Sequence, residues 1–121
     1  MVIGAGIIDV YIFDSRSLKT KRGILQRIIK RTRNRFNVSI AEVGENDSWK
    51  KGRIGFSVVG NDRGYINSKI DKILNFIDSL KLAGVLSSKI EIVSVSDVMD
   101  ESDYLKDMFD CMGDQDGIQE G

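Results

Sequence analysis

The sequence predicts an α+β sandwich in which two helices cover one face of a four-stranded antiparallel sheet. Three observations predict it. Four segments alternate apolar and polar residues with the period of a strand, and two repeat apolar residues with the period of a helix. The two kinds follow one another as strand, helix, strand, strand, helix, strand within residues 1–96, with no internal repeat.

The first strand runs from Val2 to Phe13, with Ile8, Val10 and Ile12 on one face and Asp9 and Tyr11 on the other. Gly4-Ala5-Gly6 lies inside it and is not followed by a helix. It therefore reads as an accommodation of strand twist or of a closely approaching backbone, and not as a dinucleotide-binding turn. Asp14-Ser15-Arg16-Ser17 supplies N-capping side chains, and from Leu18 the period becomes helical. Leu18, Leu25, Ile28, Ile29, Thr32 and Phe36 form one stripe, which Lys21 and Arg22 flank. At 100° per residue, Lys19, Arg27, Lys30 and Arg31 fall on the opposite side, with Arg33 and Arg35 near the helix end.

Asn37 to Val43 alternates again, and a polar connection through Gly44 to Ser48 leads to a third strand from Arg53 to Val59. Ile54, Phe56 and Val58 share its inner face. Asn61-Asp62 then caps a second helix with the stripe Ile66, Ile70, Ile73, Leu74, Ile77 and Leu80, and Gly84 suits a position just past its end. Ser88 to Val95 is the fourth strand. This is the order of a ferredoxin-like βαββαβ two-layer sandwich, with the second sheet face left open. Asp9, Tyr11, Ser39, Ala41, Ser57 and Glu91 are expected on that open face.

Residues 1–96 therefore read as one domain and 97–121 as an acidic C-terminal tail. Val98, Leu105, Met108, Phe109 and Met112 make a short apolar stripe in the tail, and its last residues, from Asp114, are of disordered composition. The net charge of zero conceals a separation. Before Asp97 there are 17 bases and 9 acids; from Asp97 onward there are 1 base and 9 acids. Ser15 to Phe36 alone holds nine bases and no acid. A basic body attracts phosphate-rich partners through its own field, whatever the whole-chain sum.

Absences narrow the chemistry. The chain has no His, so a Ser-His-Asp triad, a Cys-His dyad and imidazole-dependent zinc sites lack their required side chain. Cys111 is the single cysteine and cannot form an internal disulfide, which suits a reducing, cytoplasmic setting. No apolar run is long enough for a membrane span, and the first residues lack the pattern of a signal peptide. Glu42, Glu45, Asp47 and Asp62 match no calcium-loop spacing, so no metal or other cofactor is expected, and no constellation of carboxylates and lysines reads as an enzyme.

The run Ser15-Arg16-Ser17-Leu18-Lys19, then Lys21-Arg22, then Arg33 through Val43 resembles the YlxP-like family of small bacterial proteins. Asp47 and Trp49, in an Asp-x-Trp arrangement, and Asn61-Asp62 extend the resemblance over about residues 1 to 96. The resemblance implies a ferredoxin-like fold and no established activity. It also implies gene neighbours in translation and ribosome maturation, which points toward RNA. The smaller Ala5-Gly6-Ile7 departs from the bulkier first strand that the family leads one to expect.

The expected function is thus non-catalytic association with RNA or a ribosomal particle through Lys19, Arg27, Lys30, Arg31, Arg33 and Arg35. Trp49, Lys50 and Lys51, together with Arg53, extend the site at the hairpin tip. The plainer alternatives are a solvated helix face and a Trp49 folded back over the core edge, the second being the stronger expectation for that residue. Lys51-Gly52-Arg53-Ile54-Gly55-Phe56 is a poor match to an RNA-recognition-motif strand, because Phe56 shares parity with Ile54 and Val58. A homodimer formed by a sheet edge or the open face is the alternative function. The tail reads first as a solubilising extension and second as a tethered competitor for the basic helix.

Overall fold

In a computed structural model, residues 1–44 and 48–96 are described. The order is β1 (Val2–Ile12), α1 (Leu18–Arg35), β2 (Ser39–Glu42), β3 (Lys51–Gly60), α2 (Arg63–Ser79) and β4 (Ala83–Ser94). The strands form one antiparallel sheet in the order β2-β3-β1-β4, which is the ferredoxin-like arrangement. The tail 97–121, its stripe from Val98 to Met112 included, lies outside the described residues, as do Glu45 and Asp47.

Strand parity sorts the residues. Ile8, Val10 and Ile12 of β1 and Ile54, Phe56 and Val58 of β3 are buried beneath the helices. Ile66, Ile70, Ile73 and Ile77 of α2 and Leu25, Ile28 and Ile29 of α1 meet them there. The odd positions of β1 and β3 lie on the other face. Cross-strand partners Ala5 with Ser57 and Glu91, Asp9 with Arg53 and Ser87, and Ser39 with Ser57 share that face, as their alternation requires.

Both helices are capped at their starts by side chains. The Ser17 Oγ accepts from the Thr20 N–H at 3.1 Å, and an Asp62 carboxylate oxygen accepts from the Tyr65 N–H at 2.8 Å. Each satisfies an amide that the first turn of a helix leaves unpaired.

Four expectations are corrected. Lys21, not Leu18, occupies the first buried position of α1: Lys21 is 2% exposed and Leu18 39%. The reason is a partner, because the Lys21 ammonium donates to the Ser48 carbonyl at 2.7 Å, which lets the long side chain be buried. At the end of α2 the left-handed conformation falls to Lys81, with φ 59°, and Gly84 is a residue of β4. β4 itself begins at Ala83, five residues before the predicted Ser88, and is interrupted by a bulge where Leu86 has no partner on β1. Finally, side chains and not backbone approach the strand glycines. A Cβ on Gly4 would stand 2.5 Å from Ile66 Cγ2 and 2.8 Å from Ile70 Cδ1, and one on Gly6 would stand 2.6 Å from the Phe56 ring.

Gly23 is different. It lies inside α1, and a Cβ there meets no atom within 4 Å. A helical glycine without a packing role lowers stability relative to alanine by about 0.5–1 kcal/mol. Gly23→Ala is therefore expected to raise the melting temperature by roughly 3–6 °C. A calorimetric melt with no rise would show that this position has a constraint the packing does not contain.

Candidate nucleic-acid interface

Helix α1 buries Lys21, Leu25, Ile28, Ile29 and Thr32, and this stripe turns the remaining surface outward. Lys19, Arg27, Lys30 and Arg31 are exposed on it, as the spacing predicts. None of the four pairs with a carboxylate among the described residues, and α1 has no acid in its first turn. Gly23 lies one turn from Lys19 and one from Arg27, in nearly the same column as Lys30. The centre of the cationic face is therefore bare backbone.

The two arginines at the end of α1 are engaged within the domain. The Arg33 guanidinium donates to the Ile40 carbonyl at 3.1 Å, and that of Arg35 lies 5.7 Å from the centre of the Phe76 ring. Phe76 in turn meets Phe36 edge to face at 5.5 Å. These contacts tie the helix end to β2 and α2, and both arginines remain exposed to solvent.

At the other end of α1 the hydrogen bond from Lys21 to Ser48 joins the first turns of the helix to the residues leading into β3. Trp49 follows directly. It keeps 47% of its surface exposed, so part of the ring is open to solvent. The Lys50 ammonium stands 5.7 Å from the Trp49 ring and 6.0 Å from the Tyr11 ring, both within cation–π range. Tyr11 and Phe13 have ring centres 6.3 Å apart and are 36% and 53% exposed. Lys51 lies opposite Tyr11 in the sheet register.

The structure thus gathers three exposed aromatic rings and two lysines at one end of the open face. Of the rings, sequence reasoning proposed only Trp49 as a binding residue. Phe56 of β3 lies in the core, as its parity requires, and the two further rings are Tyr11 of β1 and Phe13 just past the end of that strand. The signal was there: Tyr11 and Phe13 continue the odd parity of Asp9.

Arg53 does not extend the cationic patch. Its guanidinium donates to the Asp9 carboxylate at 2.7 and 3.4 Å, and the Ser87 hydroxyl donates to the same group at 3.2 Å. The hydrogen bond from Arg53 holds the Asp9 pKa below its ordinary 3.8; partial burial opposes this, and Ser87 and the charges of Arg53 and Lys51 add to it. A carboxylate with a depressed folded-state pKa contributes stability above its unfolded pKa, and that contribution is lost as pH falls through the folded value. Asp9→Asn is therefore expected to flatten the stability profile below about pH 4, where unfolded aspartate titrates. Denaturant melts across that range give the check, and an acid limb of unchanged steepness would assign it to other carboxylates.

Residues 3–90 match the DUF503 family, described as a protein of unknown function. The chain is 40% identical over 78 residues to the uncharacterized protein YlxP of Bacillus subtilis (strain 168), across 64% of this chain and 85% of that protein. It belongs to the DUF503 family. Solved structures of similar outline include the de novo designed protein LFR1 1 with ferredoxin fold, at TM-score 0.49 and 12% identity over 84% of this chain and 93% of that one. Another is SnoaB, a cofactor-independent oxygenase from Streptomyces nogalater, at TM-score 0.43 and 9% identity over 82% of this chain and 98% of that one. No helix among the described residues is long and apolar enough to cross a membrane.

Proposed function

We propose that this member of the DUF503 family is a non-catalytic protein of the cytoplasm that binds single-stranded RNA, free or on a ribosomal particle. One observation carries the reading: Lys19, Arg27, Lys30 and Arg31 line an exposed helix face on which none of them pairs with a carboxylate among the described residues. Unpaired cations in a row attract a polyanion by releasing its condensed counterions. Bare backbone at Gly23 lets a phosphate approach between them, and this gives the glycine a reason that packing does not supply.

The hairpin end supports a single strand over a duplex. Trp49, Tyr11 and Phe13 offer ring faces to unpaired bases, and Lys50 and Lys51 supply charge beside them. Stacking on aromatic side chains contributes about 1–3 kcal/mol per base and tolerates any sequence. The hydrogen bond between Lys21 and Ser48 joins the start of the cationic helix to the residue before Trp49, so a strand that passes round this end of the domain can meet both surfaces.

For a fluorescently labelled single-stranded RNA, four phosphate contacts at about 0.7 each give a log–log salt dependence with slope close to −3. Reversing Lys19, Arg27, Lys30 and Arg31 to Glu is expected to weaken binding roughly a hundredfold at low salt. The thermal melt should move little, because the four side chains lie outside the core. Anisotropy titrations in which the reversed protein binds as tightly as the original would refute the reading. Trp49 is the one tryptophan of the chain, so its emission reports on stacking directly. Quenching by an unpaired oligonucleotide, and much weaker quenching by a duplex, is the expected pattern.

A further inference from the structure

We infer that β4 is a self-complementary edge through which two copies of this chain pair about a two-fold axis at Ile90. β4 is 12 residues long, and its neighbour in the sheet is β1 alone among the described residues. The edge beyond it presents backbone N–H and C=O groups of the kind another strand can take up; at Ile92 the carbonyl already accepts from the exposed Arg63 guanidinium at 3.2 Å, and this side chain gives way where the second strand docks. The bulge at Leu86 twists the start of the strand out of line, which leaves Ser87 to Val93 as the segment able to pair.

Charge selects the register within that segment. Lys89 and Glu91 are exposed on the open face, two residues apart, and neither has an ion-pair partner among the described residues. In an antiparallel pairing centred on Ile90, Lys89 of each copy lies directly opposite Glu91 of the other. Two-fold symmetry then makes two such pairs at once. A shift of two residues in one direction sets Lys89 against its own copy, and in the other direction Glu91 against its own copy. Both are like-charge contacts at close range. A shift of one residue turns one copy's face over. A lysine on an edge strand ordinarily discourages indiscriminate pairing; with Glu91 two residues away it also specifies one pairing against the alternatives.

The apolar positions agree with this register. Ile90 and Ile92 point toward the helices, yet both are only partly buried, because α2 does not cover the outermost strand fully. Pairing brings Ile90 against its own copy and Ile92 against Ser88 of the other, which extends the core across the axis. On the open face, Val93, 51% exposed, faces Ser87 of the other copy.

The inference is independent of RNA binding, since α1 packs on β2 and β3 and takes no part in the β4 edge. Analytical ultracentrifugation of the full chain over a concentration series is the test. The expected result is a reversible shift from 13.5 kDa toward twice that mass. Lys89→Glu places two like-charge pairs at the axis and is expected to weaken association at least tenfold, with an unchanged far-ultraviolet circular dichroism spectrum. The double exchange of Lys89→Glu with Glu91→Lys restores opposite charges in the same register and is expected to restore the dimer. A chain that stays at 13.5 kDa throughout would overturn the inference. So would a Lys89→Glu protein that dimerises as well as the original, or a double exchange that fails to recover.

Discussion

The contact of Ile66 and Ile70 with the bare backbone of Gly4 sets the distance between the helix layer and the sheet. β1 is a central strand, paired on one side with β3 and on the other with β4, so whatever fixes its facing fixes that of both neighbours. With no side chain at Gly4 or Gly6, the branched residues of α2 and the Phe56 ring fill the space over β1 themselves. The even positions of β1 are thereby committed to the core, and Asp9, Tyr11 and Phe13 are committed to the open face. A strand has a side-chain period of two, so the location of the aromatic cluster follows from this packing.

A second constraint orients α1. A buried ammonium needs a hydrogen-bond acceptor, and for Lys21 the Ser48 carbonyl supplies one from 27 residues away in the chain. The same bond attaches the start of the helix to the residues before β3, beside Trp49. The rotation of α1 about its axis is therefore determined by Lys21 as much as by Leu25, Ile28 and Ile29. That rotation decides which cations face solvent together. Arg33 and Arg35 secure the other end against Ile40 and Phe76, so the exposed row between the two ends is held at both.

The periodic parts of the fold were legible in the sequence for a physical reason. Ile66 to Ile77 and Ile54 to Val58 follow the geometry of a helix and of a strand, and nothing else in the chain competes for those positions. Lys19, Arg27, Lys30 and Arg31 were legible in the same way, because a 100° rotation per residue is a local property. What escaped depends on distant partners. Lys21 is polar in any binary pattern, and its burial needed a carbonyl from another element. The contacts of Arg33 and Arg35 needed β2 and α2. The first half of β4 escaped because Gly84 and the bulge at Leu86 break the alternation that marks a strand. Tyr11 was assigned to the open face from parity alone, but its company with Phe13, Trp49 and Lys50 required the hairpin end to be in place.

The two surfaces belong to opposite sides of one molecule, and this separation has a consequence. β2 and β3 carry α1 at one margin of the sheet, and β4 forms the other margin. An antiparallel pairing of β4 with its own copy has its two-fold axis perpendicular to the sheet, so the helices of both copies lie on the same side of one eight-stranded sheet. The two cationic helices then stand at the outer margins, free of the interface. A polyanion long enough to reach both meets two sites joined by a rigid connection, and binding at the second becomes effectively intramolecular. A duplicated single-helix site gains affinity for long strands over short ones without adding a contact to either copy, whereas a monomer would bind each length in proportion to the sites available on it.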